Sequence, residues 1–186
     1  ITVSDGTAAT SLTVGDTGND NQVLIINGDV SGDTTGNDLN IVINADDNAD
    51  EETVIQFKGT TLDIGSGTIT LTDDGTNNQG DAVFIVNGTG AQTITGAIKG
   101  ANQGEGQLRV ENTGGLVTFK SAVGGGTPGT TDIGSIAVGG ANGTTTNVLF
   151  EGVVVVNDAD NESGQIVLGS TDGGAVNATF QANVTS

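Results

Sequence analysis

Residues 145–158 read TTNVLFEGVVVVND. A short apolar run ends on Phe150, a long polar residue and a small one follow (Glu151, Gly152), and a valine run leads out into a polar turn. Short runs rich in β-branched residues, bounded by Gly, Asn and Asp, are the pattern of strands and turns. The same order of aromatic, long polar and small recurs at Phe57-Lys58-Gly59, Phe119-Lys120-Ser121 and Phe180-Gln181-Ala182. Two further copies, Ile26-Asn27-Gly28 and Val86-Asn87-Gly88, carry an aliphatic residue in the aromatic slot. Along Ile26, Phe57, Val86, Phe119, Phe150 and Phe180 the steps are 31, 29, 33, 31 and 30 residues, a repeat of about 31.

A second column runs in step with the first. Each copy is preceded by an apolar-x-apolar strand: Leu12/Val14, Ile41/Ile43, Ile69/Leu71, Leu108/Val110, Ile136/Val138 and Ile166/Leu168. No segment has a sustained 3.6-residue apolar period, so the chain reads as all-β. A parallel β-solenoid requires like positions to recur at a fixed interval, because each repeat is one coil laid on the last. Tandem antiparallel β-sandwich domains, the alternative, have no such requirement. The expectation is therefore one solenoid segment over residues 1–186, of about six coils, forming part of a longer array. The first residue is not Met, and Ile1-Thr2-Val3-Ser4-Asp5 resembles Val154-Val155-Val156-Asn157-Asp158. Both suit a mature or excised piece whose ends fall at about the same phase of the repeat.

Stacking has local consequences. Phe119, Phe150 and Phe180 should lie over one another at the strand spacing of about 4.8 Å, and Lys120 should face Glu151 on the next coil. Asn27-Gly28 and Asn87-Gly88 fall at one phase and read as bends between two sheets, whereas the third such pair, Asn142-Gly143, sits in a longer polar stretch. The step from Val86 to Leu108 takes 22 residues where the other copies take 12 to 17. That excess predicts a loop inserted at 89–106, of the kind that projects from one face of a solenoid.

Composition narrows the chemistry. The 186 residues contain no Cys, His, Met, Trp or Tyr, which excludes the usual zinc and haem sites, a thiol nucleophile and a Ser-His-Asp triad. Four Lys+Arg against 23 Asp+Glu give a formal charge of −19. Such a surface repels phosphate backbones and anionic headgroups, which argues against nucleic-acid and membrane-surface partners. No run approaches the roughly 18 apolar residues of a membrane-spanning helix.

The acidic turns are the candidate metal sites. Asp46, Asp47 and Asp50 form one cluster beside Glu51 and Glu52, and Asp158, Asp160 and Glu162 form another in Asp-x-Asp-x-Glu spacing. Oxygen-rich groups on turns suit a structural Ca²⁺, which takes six to eight oxygens. The pattern lacks the Gly and distal Glu of an EF-hand loop, and a solvated acidic rim is its plain alternative. Paired carboxylates for glycoside hydrolysis are uninformative in a solenoid, since adjacent coils supply the separation almost anywhere. With no Trp or Tyr sugar platform and Arg109 as the sole Arg, the chain reads as a non-enzyme.

The strings GLVTFKSAVGGG (115–126), IGSIAVGG (133–140) and TTNVLFEGVVVVND (145–158) resemble repeats of giant bacterial surface proteins. These are autotransporter passengers of the rickettsial outer-membrane type and related adhesin or surface-layer chains. The resemblance is one of repeat style and covers essentially the whole chain. It implies secretion, a β-rich array at the bacterial cell surface, and a structural or adhesive role. On that reading the segment is a stiff rod or layer element, self-associating or contacting a host or substrate surface; the alternative is a carbohydrate-active β-helix.

Overall fold

The computed structural model describes residues 10–15, 22–32, 39–45, 52–73, 81–125, 129–139, 144–157, 164–169 and 174–186. Every strand pairing among them is parallel, and the strands stack into a β-solenoid of about five coils, close to the six expected. The tandem antiparallel sandwich is thereby excluded.

Each coil presents three faces. The first is built from β1 (Thr10–Val14), β4 (Leu39–Ala45), and the second halves of β6 (Thr61–Asp73) and β8 (Gln92–Gly100). It continues through Val123 to β13 (Val154–Val155) and β16 (Val184–Thr185). The second face stacks β2 (Val23–Ile26), β5 (Glu52–Phe57), β7 (Asp81–Val86), β9 (Gln107–Val110), β11 (Ser135–Val138) and β14 (Gln165–Leu168). The third holds β3 (Val30–Ser31), the first halves of β6 and β8, then β10 (Leu116–Phe119), β12 (Thr146–Phe150) and β15 (Val176–Phe180). Strands β6 and β8 run unbroken around the corner from the third face to the first, so those faces share one sheet. Turning that corner within a strand takes a bulge: the register shifts between Asp63 and Thr68. In the coil above, Gly96 adopts φ 118°, and a Cβ there would lie 2.3 Å from Ile64 Cγ1. Only glycine fits so close to an inward side chain at that backbone angle.

The alternation of the sequence puts one side of each strand inside, where like residues stack. Leu12, Ile41, Ile69, Ile98, Val123 and Val154 line the first face. Ile26, Phe57, Val86, Val110 and Val138 line the second, with Leu168 in register but half exposed on the last coil. Val30, Leu62, Ile94, Phe119, Phe150 and Phe180 line the third. As expected, Phe119 stacks on Phe150 and Phe150 on Phe180, both with centroids 5.0 Å apart and planes within 8°. Each pair contributes about 0.5–1.5 kcal/mol beyond the area it buries.

Two expectations need correction. The six aromatic-slot residues do not form one column: Ile26, Phe57 and Val86 stand on the second face, and Phe119, Phe150 and Phe180 on the third. The strand column splits likewise. Leu12, Ile41 and Ile69 belong to the first face, while Leu108, Ile136 and Ile166 belong to the second. The cause is one short coil. Val86 pairs with Val110 after only 24 residues, and nine more reach Phe119 on the next face. A 33-residue step thus passed for one period while the phase slipped by a face. The second correction concerns 89–106. Instead of a projecting loop, this stretch carries β8, paired with β6 on one side and β10 on the other.

Candidate functional site

The outward residues of each strand form rows that climb the solenoid, and these rows are its available surface. On the second face one row runs Val23, Val54, Val83, Gln107, Ser135, Gln165, and its neighbour Ile25, Gln56, Ile85, Arg109, Ala137, Val167. Val54, Val83 and Ile85 are buried as a small apolar cluster of their own, outside the main core. Arg109 on β9 and Glu52 on β5 form an ion pair across β7, the strand that carries Val83 and Ile85. The guanidinium bonds both Glu52 oxygens, with Nη1 3.1 Å from Oε2, and Nε donates to Gln107. Beyond this clasp, Val23 (55% exposed), Ile25 and Val167 lie open.

The third face is mostly polar outside. Thr61, Thr93, Thr118, Leu149 and Thr179 form one row, and Leu116, Asn147 and Asn177 another. Asn177 Nδ2 donates to Asn147 Oδ1 at 2.9 Å. Lys120 Nζ meets Glu151 Oε1 at 2.7 Å, the cross-coil pair expected from their spacing. Both side chains are partly exposed, so the pair contributes well under about 1 kcal/mol and acts mainly on register.

The corner between the second and third faces holds the most ordered polar chemistry, in a spine that ties each coil to the next. Asp29 Oδ1 accepts from Thr60 N (2.7 Å), Thr60 Oγ1 (2.9 Å) and Thr61 N (2.9 Å) one coil above. These bonds, the backbone one from Thr61 foremost, hold its carboxyl below the usual range. Gln92 is buried: its Oε1 accepts from Gly88 N and its Nε2 donates to Phe57 O and Gly59 O. Asn112, also buried, donates to Gly90 O and Gln92 Oε1, and accepts from Gly114 N and Gly115 N. Thr146 Oγ1 donates in turn to Asn112 O. Buried amides whose polar atoms are satisfied fix alignment between coils.

Sequence reasoning missed this spine, because Gln92 and Asn112 are isolated polar residues between apolar runs. The one legible signal was Asn112-Thr113-Gly114-Gly115, where an Asn ahead of a Gly pair bonds the backbone that follows. Asp132 was missed too. It is the sole wholly buried carboxylate among the described residues; Oδ2 accepts from Gly129 N and Asn157 Nδ2, and Oδ1 has no hydrogen-bond partner.

The expected calcium ligands Asp46, Asp47, Asp50, Asp158, Asp160 and Glu162 lie outside the described residues. Among the described ones no three acidic side chains gather as a metal site, and no helix is long and apolar enough to cross a membrane. Comparison with family models, with characterised proteins and with solved structures returns no match.

Proposed function

We propose that this chain is a structural and adhesive segment of an extracellular bacterial surface protein, serving as a rigid rod or layer element. The observation that carries the reading is the uniform parallel stacking, in which the described strands pair with those of the coils before and after them. Such a body lengthens along one axis by about 4.8 Å per coil, and its inward ladders resist bending. Its outer rows of Thr, Asn and scattered aliphatic residues present a long surface along that axis. The charge of −19 keeps rods apart sideways.

Self-association is part of the proposal. Among the described residues β14 and β15 each pair with one neighbouring strand, and sheet edges of this kind accept a further strand. Isolated segments should join end to end, read as elongated particles in electron micrographs and as concentration-dependent mass in sedimentation. A strictly monomeric species at high concentration contradicts this. Structural Ca²⁺ on the acidic turns belongs to the same proposal: added calcium should raise the melting temperature, and chelation should lower it. Release of reducing sugar from polysaccharides would instead support the carbohydrate-active reading.

A further inference from the structure

The Asn-Gly pairs at one phase of the coil sit in opposite chemical environments. Asn27 and Gly28 are both exposed, and a Cβ built on Gly28 meets nothing within 4 Å. The Gly28 N–H has no hydrogen-bond partner among the described residues. The chain is pinned immediately afterwards, where Asp29 takes three bonds from the coil above, so the peptide between Asn27 and Gly28 is the loose link of its corner. At the equivalent corner Gly88 is buried, its N–H donates to Gln92 Oε1 at 2.9 Å, and a Cβ there would fall 2.6 Å from Gln92 Cδ. Asn112 holds that same Gln92 oxygen from the next coil.

From this contrast we infer that Asn27 is a site of self-catalysed modification, and that Gln92 protects Asn87 from the same reaction. In an Asn-Gly pair the glycine nitrogen, after giving its proton to base, attacks the Asn side-chain carbonyl carbon. A carbon–nitrogen bond forms, the bond to the side-chain amide breaks, and ammonia leaves. Water then opens the five-membered imide at either carbonyl, giving aspartate or isoaspartate. The attacking nitrogen is free at Gly28 and already committed at Gly88. Breaking a buried hydrogen bond to reach the attack geometry slows Asn87 by about tenfold or more. By register, position 27 falls opposite Lys58 of the next coil, whose backbone N–H donates to Ile26 O. An aspartate at 27 adds a negative charge one coil from Lys58, and an isoaspartate lengthens the backbone at the corner.

The test is to hold the purified chain in mildly alkaline buffer at physiological temperature and follow both peptides by mass spectrometry. Asn27 should convert at least about tenfold faster than Asn87 in the folded chain, and the two rates should converge in concentrated urea. Gly28→Ala, which the space around Gly28 admits, should slow Asn27 sharply and leave the melting temperature in place. Gln92→Ala should release Asn87. Should that variant fail to fold, the wild-type ratio and Gly28→Ala still decide. Equal rates at the two sites in the folded chain would overturn the inference. So would a difference that survives urea, since sequence rather than the Gln92 bond would then be its cause.

Discussion

Replacing Phe150 with Ala removes the middle of the aromatic ladder. The ring is fully buried between Phe119 and Phe180, each 5.0 Å away, and the coils on either side are held by parallel strand pairing. The neighbours therefore cannot close the gap, and the loss combines burial with an unfilled cavity, about 3–5 kcal/mol. Phe180 is only partly buried and has one ring partner, so Phe180→Ala should cost about 1–2 kcal/mol. At about 2–4 °C per kcal/mol for a chain of this size, Phe150→Ala should lower the melting temperature by roughly 6–20 °C. With no Trp or Tyr to report by fluorescence, far-UV circular dichroism during urea and thermal unfolding is the assay. Stability in a stacked array is carried locally, so amide exchange should rise most in β10, β12 and β15 and least in β4 and β5. A cost below about 1 kcal/mol, or one no larger than that of Phe180→Ala, would refute the reasoning.

Four substitutions probe other parts of the structure. Gly96→Ala combines a left-handed backbone angle with a collision against Ile64 and should cost about 2–3 kcal/mol, whereas Gly28→Ala should be close to neutral by the same urea titration. Glu151→Gln removes an exposed ion pair, so its effect should stay within about 0.5 kcal/mol and shrink as salt is added. The Asp29 carboxyl is depressed by its bonds from Thr61 and Thr60, so its stabilising contribution is present above the ordinary aspartate range. That contribution is lost as pH falls through the lower, folded value. Asp29→Asn should flatten this acid limb of the stability curve, and an unchanged limb would show that the bonds do not matter to folding.

The fold class was legible because inward residues alternate along each strand and recur from coil to coil: Ile41 over Ile69, Phe119 over Phe150. The phase was less legible. Aliphatic and aromatic residues fill the interior of every face alike, so Val86 could be aligned with Phe119 although they belong to different faces. A single 24-residue coil was enough to hide this, and it also made the regular strand β8 look like an insertion. Lys120 and Glu151 were predictable since a salt bridge needs only charge and spacing. The Gln92 and Asn112 spine was not, because a buried amide is recognised by the carbonyls it meets, and those come from other coils.

The most direct test of the stacking is nuclear Overhauser spectroscopy on a chain labelled at phenylalanine. The account predicts ring contacts between Phe119 and Phe150 and between Phe150 and Phe180, with none linking Phe57 to Phe119. Contacts that join Phe57 to Phe119, or rings that see no other ring at all, would contradict it.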